Sequence, residues 1–435
     1  MGAKTASSSG AAPARGVVLA AGSITGMGCG AIYMWSIFNK PLMEMFGFTT
    51  SEVSMAYSLF LLASCVSGWL AGWLQRHMQS RFIVVGAGVV FGLGWLLTGF
   101  ANNLAELYLF FGCLAGTGNG LLYNTILAVV MKWFPDKRGF ANGVCVGVLG
   151  LGPLLFAPAG NGLIEAFDVQ TAFRIVGIVW LVVYLTLSWL LRTPPAGWQP
   201  AGWQPNAAAT DDAPAEASAE ASADTSRTDT DTTSAAHREV NLTSREMVRR
   251  PLFYVLFLLF MVATASGLMV TGHASNIGQE MAGLTPAEGA ILVGSMAVGN
   301  FIGRFGFGFV SDFLGRYNTM VIVLALNAAV MLLFLGNAHS FVEFLLAVSL
   351  VGACFGATMT IMPAIVGDAF GSENFGQNYS FVYPGYTVAA FVGPMLAASM
   401  MEAAGTYAPA FIVAGIISLV GIVLVLIGRV LAARQ

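Results

Sequence analysis

Tyr407-Ala-Pro-Ala-Phe-Ile-Val-Ala-Gly-Ile-Ile-Ser-Leu-Val-Gly-Ile-Val-Leu-Val-Leu-Ile-Gly428 carries no charged side chain. A bilayer core of about 30 Å needs about 20 apolar residues in a helix, so this stretch is long enough to cross one. Its apolarity is continuous rather than alternating, which points to a helix and away from a barrel strand. Working outward, twelve such runs are expected: 16–38, 53–75, 82–101, 104–131, 138–162, 171–191, 252–275, 287–310, 317–336, 341–367, 376–401 and 407–430. The fold class is therefore an all-α membrane protein of twelve spans.

Composition agrees. Across 435 residues, 57% are apolar and only 9% charged, and mean hydropathy is +0.75. A soluble domain carries about 25% charge. The 52 glycines suit closely packed membrane helices. A net charge of −3 with no basic block gives no sign of nucleic acid. The five cysteines lie scattered without a Cys-x-x-Cys, so no metal site and no disulfide framework is expected. The first run continues through Tyr33-Met-Trp35 to Asn39-Lys40-Pro41 without a small-residue cleavage site, unlike a signal peptide.

Basic residues set the orientation. If the N-terminus is cytoplasmic, 16 of the 19 Lys and Arg fall in cytoplasmic tails and loops. Lys40 and Arg174 fall outside, and Arg304 lies within a span. The positive-inside rule then puts both termini in the cytoplasm and the protein in the cytoplasmic membrane.

Four segments follow: a disordered tail over 1–15, a six-helix half over 16–192, a disordered cytoplasmic linker over 193–250 and a second six-helix half over 251–431. The linker opens Pro194-Pro195-Ala-Gly-Trp198-Gln-Pro200 and repeats Ala-Gly-Trp203-Gln-Pro205. Nine of the 22 acids fall between Asp211 and Glu246, a composition that cannot bury a core. A short surface helix is expected around Leu242–Pro251.

The halves echo each other. Gly112-Cys-Leu-Ala-Gly116 in span four resembles Gly352-Ala-Cys-Phe-Gly356 in span ten. Two six-span halves with parallel pseudo-symmetry are the plan of carriers that bind their substrate near the midplane between repeats.

Arg304 is the only Lys, Arg, Asp or Glu well inside a span. Eight residues before Asp312, it lies about 12 Å along the helix from the loop, close to the midplane. A charge there is costly unless it faces a cavity or a partner. Its planar fork suits a carboxylate. No acid accompanies it at that depth. His273, near the far end of span seven, is the candidate proton carrier, since imidazole titrates near neutrality. His-Glu-x-x-His and Gly-x-Ser-x-Gly are both absent, and no acids pair within the spans, so an enzyme is not expected.

Gly308-Phe-Val-Ser-Asp312-Phe-Leu-Gly315-Arg316-Tyr317 resembles the loop signature of the major facilitators. Asp312, Gly315 and Arg316 are the expected conformational latch. The equivalent N-half loop, Gly72-Trp-Leu-Gln-Arg76-His77-Met-Gln-Ser-Arg81, lacks the acid. Trp133-Phe-Pro-Asp-Lys137-Arg138-Gly-Phe-Ala-Asn-Gly143 looks like the oxalate:formate antiporter family of the major facilitators, relatives of the monocarboxylate transporters. The resemblance implies two pseudo-symmetric six-helix halves working as a monomer by alternating access, without a cofactor. It also implies a central site in which Arg304 holds a carboxylate and Tyr33, Tyr123, Phe355, Tyr383 and Tyr386 line it. The oxalate carrier's second cation, a Lys in span eleven, is replaced here by Tyr386. Where monocarboxylate transporters often place an Asp before the span-eight Arg, this chain has Asn300.

One cation compensates one carboxylate. The favoured reading is a carrier of small monocarboxylates (lactate, pyruvate, formate), coupled to protons or working by exchange. Oxalate:formate exchange and a transporter-fold membrane sensor are the alternatives.

Overall fold

The computed structural model describes residues 15–135, 138–195, 198, 200, 241–338, 340–371 and 374–434. Twelve helices are long and apolar enough to cross a membrane: α1 Arg15–Met34, α2 Thr50–Gln75, α3 Ser80–Thr98, α4 Leu104–Trp133, α5 Val144–Ala166, α6 Val169–Leu190, α7 Pro251–Ala282, α8 Pro286–Leu314, α9 Arg316–Asn337, α10 Phe341–Phe370, α11 Gln377–Ala404 and α12 Ala408–Ala432. The expected runs all appear. Several helices outlast their apolar run, α7 by reaching Ala282, because caps end a helix later than hydropathy does. An even number of crossings leaves Arg15 and Ala432 on one face, called here the termini face; the other is the distal face.

Each even-numbered helix from α2 to α10 begins at the distal face with a polar cap. Thr49, Asn103, Asp168, Thr285 and Ser340 accept from a backbone N–H of the first turn. Glu52, Glu288 and Glu343 return a bond to complete capping boxes. The loop acids thus satisfy helix ends that hydrocarbon could not. At Asp168 the backbone N–H of Thr171 leads in holding the carboxyl below its usual range.

The glycine echo has a packing basis. In the C-half, Gly299 and Gly303 of α8 face the Ser349 and Ala353 carbonyls of α10. Reciprocally, Gly352 and Gly356 of α10 face the Met296 and Asn300 carbonyls of α8. A Cβ at any of the four would collide with backbone. Gly116 and Gly120 of α4 meet the Phe60 and Ser64 carbonyls of α2 in the same way. Small residues let backbones approach where no hydrophobic force drives helices together. Polar glue adds to this: Asn327 Nδ2 donates to Ser266 and Ser418 Oγ, both at 2.8 Å.

Most of the predicted linker and the N-terminal tail lie outside the described residues. The linker's described ends are docked. Trp198 packs edge-on against Trp133 at 4.8 Å. The Leu242 N–H donates to the Phe370 carbonyl at 2.9 Å, and the expected short helix is Ser244–Met247 with Met247 fully buried. That helix lies at the surface of the C-half with Arg245 and Glu246 exposed, and Met247 gives it an apolar anchor.

Candidate functional site

Two spans are interrupted at membrane depth. α1 tightens into a 3-10 turn over Gly30–Met34 and continues beyond Trp35 as Ser36–Phe46. Gly30 permits this by facing the Leu149 carbonyl of α5, where no Cβ fits. In α11 one helix ends at Val382 and the next begins at Pro384, whose nitrogen has no hydrogen to donate. Tyr33 stands on the first interruption, and Tyr383 and Tyr386 flank the second.

A small cavity opens between the halves. Tyr33, Gly150 and Pro153 form its N-half wall; Val293, Met296, Ala297 and Phe355 make its C-half wall largely apolar, with Thr271 and Asn300 its polar members. One turn further along α8, the Arg304 Nε donates to Asn300 Oδ1 at 3.0 Å. Among the described residues the two terminal nitrogens of Arg304 have no hydrogen-bond or ion-pair partner. A guanidinium tethered by Nε alone keeps free the edge that pairs bidentately with a carboxylate.

The expected tyrosines separate. Tyr33 interacts with the Tyr386 hydroxyl, and both lie within electrostatic range of Arg304. Phe355 lines the cavity and packs against Gly267, where a Cβ would approach its ring to 2.7 Å. Tyr383 is half-buried and belongs to an aromatic chain, 5.3 Å from Tyr386 and 5.9 Å from Tyr379 between ring centroids. Tyr123 is half-buried against the N-half core. Of the expected residues, Tyr33 and Phe355 line this cavity, and Arg304, Tyr123, Tyr383 and Tyr386 are not among its lining residues. The structure thus brings Tyr33 and Tyr386 within electrostatic range of Arg304 and sets Phe355 with Tyr33 on the cavity wall.

His273 lies elsewhere, in a seal at the distal end of the cavity. Its Nδ1 is 3.2 Å from the Met269 carbonyl and its Nε2 is 2.8 Å from Ser54 Oγ. A carbonyl only accepts, so Nδ1 carries the hydrogen; in the neutral ring Nε2 then accepts from Ser54. Around it Asn39 Nδ2 donates to the Gly272 carbonyl at 3.0 Å, and Ser58 Oγ to the Phe391 carbonyl at 3.1 Å. Glu402 of α11 accepts from the Ser51 N–H at 2.6 Å and from Ser51 Oγ at 2.8 Å, capping α2 from the other half. These bonds tie the halves together at the distal face.

Twelve spans in two glycine-matched halves, meeting at a cavity sealed on one side, find their counterpart among known proteins. The Major Facilitator Superfamily profile matches residues 18–282 and 274–434. The chain belongs to the Major Facilitator Superfamily. An uncharacterized MFS-type transporter of Escherichia coli K12, YhjX, is 28% identical over 84% of this chain and 83% of its own length. The oxalate:formate antiporter of Oxalobacter formigenes is 27% identical over 91% and 86%. Monocarboxylate transporter 12 of Xenopus laevis is 23% identical over 87% and 81%. Among solved structures, a bacterial homolog of the human lysosomal transporter Spinster superposes with a TM-score of 0.68 at 15% identity, covering 97% of each chain.

As in the sequence, the superfamily loop signature is complete only in the C-half. Arg316 pairs with Asp312 at 2.5 Å and bonds Ser311 Oγ, while its Nε is 3.9 Å from Asp368 of α10. Gly315 turns the chain at φ 82. These partners all lie in one half, so the cluster fixes the α8–α9 turn onto α10.

Sequence reasoning left two central residues without a bonding role. Asn300 was legible, because a residue four before Arg304 shares its helix face. Tyr57 in α2 gave no signal within its apolar run, yet it is fully buried beside Tyr33. Among the described residues no group of three or more His, Cys, Asp or Glu could hold a metal ion.

Proposed function

We propose that this chain is a secondary carrier of small monocarboxylates, working as a monomer by alternating access in the cytoplasmic membrane with both termini in the cytoplasm. The observation that carries this reading is the Arg304 guanidinium, tethered through Nε to a neutral amide with its terminal nitrogens unpaired beside an apolar cavity. A single carboxylate satisfies that edge, and a short alkyl group fits the Val293, Met296 and Ala297 wall. The named activities of two relatives, an oxalate:formate antiporter and a monocarboxylate transporter, support carboxylate chemistry.

Tyr33, Tyr386 and Phe355 complete the site, with Tyr123 and Tyr383 as a surrounding shell. A dicarboxylate needs a second cation, and Tyr386 occupies the position that the family resemblance assigns to one. Coupling is through protons, with His273 as carrier, or through exchange of one acid for another. Asp312, Gly315 and Arg316 latch the C-half at the cytoplasmic face, and the 193–250 segment tethers the halves.

The test is uptake of labelled lactate, pyruvate, formate and oxalate into proteoliposomes, with an imposed proton gradient or with unlabelled acid inside. Monocarboxylate uptake well above oxalate is expected. Gradient-driven uptake assigns symport, and uptake only with internal acid assigns exchange. Oxalate transport as strong as that of the monocarboxylates overturns the single-cation argument.

A further inference from the structure

Tyr57 is fully buried in α2 and packs against Gly272 of α7, where a Cβ would stand 3.3 Å from the Tyr57 ring. Among the described residues its hydroxyl has no hydrogen-bond partner. Tyr184, equally buried, donates to the Thr25 carbonyl at 3.0 Å, whereas among the described residues the Tyr317 hydroxyl shares Tyr57's lack of a partner but lies at the α9 end of the C-half, away from Arg304. Helices use their own backbone groups internally and leave little for a stray hydroxyl, so an unpaired one is costly and Phe would pack as well. The hydroxyl's electrostatic neighbours are Tyr33 and Tyr386, the two tyrosines beside Arg304. An orphaned donor within electrostatic range of that cluster is suited to a group that arrives with the substrate.

Resting on the monocarboxylate reading, we propose that Tyr57 is a specificity-determining residue, bonding the 2-oxygen of a short 2-oxo or 2-hydroxy acid when the halves close on it. The substrate is then held at three points. Its carboxylate lies on the free edge of Arg304 in α8, its alkyl group faces the Met296 and Ala297 wall, and its 2-oxygen meets Tyr57 in α2. Three attachments at fixed points, two on α8 and one on α2, cannot all be met by both mirror forms of a 2-hydroxy acid. A simple alkanoate forgoes the third and leaves Tyr57 unpaired. Discrimination of this kind comes from the polar group left without a partner.

The experiment compares uptake of propionate, pyruvate, L-lactate and D-lactate by proteoliposomes of the full chain and its Tyr57→Phe variant, which keeps the buried ring. The intact chain should prefer pyruvate and one lactate over propionate by about tenfold in kcat/KM, the range of one net hydrogen bond. Tyr57→Phe should narrow both preferences toward one while propionate uptake stays the same. Equal uptake of propionate and pyruvate by the intact chain overturns the proposal. So does a Tyr57→Phe variant that loses propionate and pyruvate alike, since that marks a packing role. Propionate uptake that depends on Arg304 keeps the monocarboxylate reading whatever Tyr57 does, whereas no uptake of any acid overturns both.

Discussion

The two halves share a backbone plan and divide the chemistry unequally. Glycines of α4 meet α2 as glycines of α10 meet α8. Yet the deep cation, the buried His273, the capping Glu402 and the Asp312–Arg316–Asp368 cluster all belong to the C-half. The N-half answers with neutral groups: Tyr33, Tyr57, Asn39, Ser51, Ser54 and Ser58. Duplicated packing therefore survives where duplicated charge does not. On the proposed reading, substrate is anchored electrostatically to one half, while the other supplies hydroxyls that engage as the halves approach.

The largest test of this division sets one anchor against one hydroxyl. Arg304→Lys keeps the charge and loses the planar fork, so carboxylate uptake should fall about 100-fold, the scale of a charge-assisted bidentate pair. Tyr33→Phe removes a neutral donor and should cost about three- to tenfold. Initial rates over a range of substrate concentrations compare the two. Equal losses break the asymmetry, and near-normal uptake by Arg304→Lys removes that residue from the site.

What the sequence showed and what it hid follow the same division. Charge in an apolar run is expensive, so Arg304 announced itself. The spans and the glycine echoes were equally legible, since bilayer thickness and backbone approach constrain residue type directly. Tyr57 could not be seen, because its environment depends on how α2 meets α7 and α11 and leaves no local pattern. His273 was expected as a pathway group; its position in the seal depends on a bond to Ser54, 219 positions away.

A middle-sized effect is expected at the distal seal. Glu402 places its carboxylate at the N-terminus of α2, where the helix dipole favours negative charge. Glu402→Gln removes the charge and keeps one acceptor. The exposed setting screens the interaction, so opening at the distal face should increase about threefold rather than collapse the fold. Maleimide labelling of a single cysteine at Ser58, in a chain otherwise free of cysteine, measures it. Labelling that is unchanged from the distal side shows that the neutral bonds of Asn39 and Ser54 hold the seal without Glu402.

The smallest effect compares two equivalent turns. In the C-half, Gly315 stands at φ 82, ψ 147, a region almost closed to residues with a Cβ. The matching N-half position, Gln79, sits at φ −67, ψ 133, where any residue is at ease. Arg76 stands where the C-half has Asp312, and Ser80 where it has Arg316. The N-half turn thus lacks both the ion pair and the backbone geometry that the pair accompanies. Gly315→Ala should cost about 1–3 kcal/mol, seen as a melting temperature several degrees lower in detergent. Gln79→Ala should stay within about 0.5 kcal/mol. If both variants melt together, the turns are equivalent in energy despite their angles. If only Gly315→Ala shifts, the strained turn belongs to the half that holds the Asp312–Arg316–Asp368 cluster.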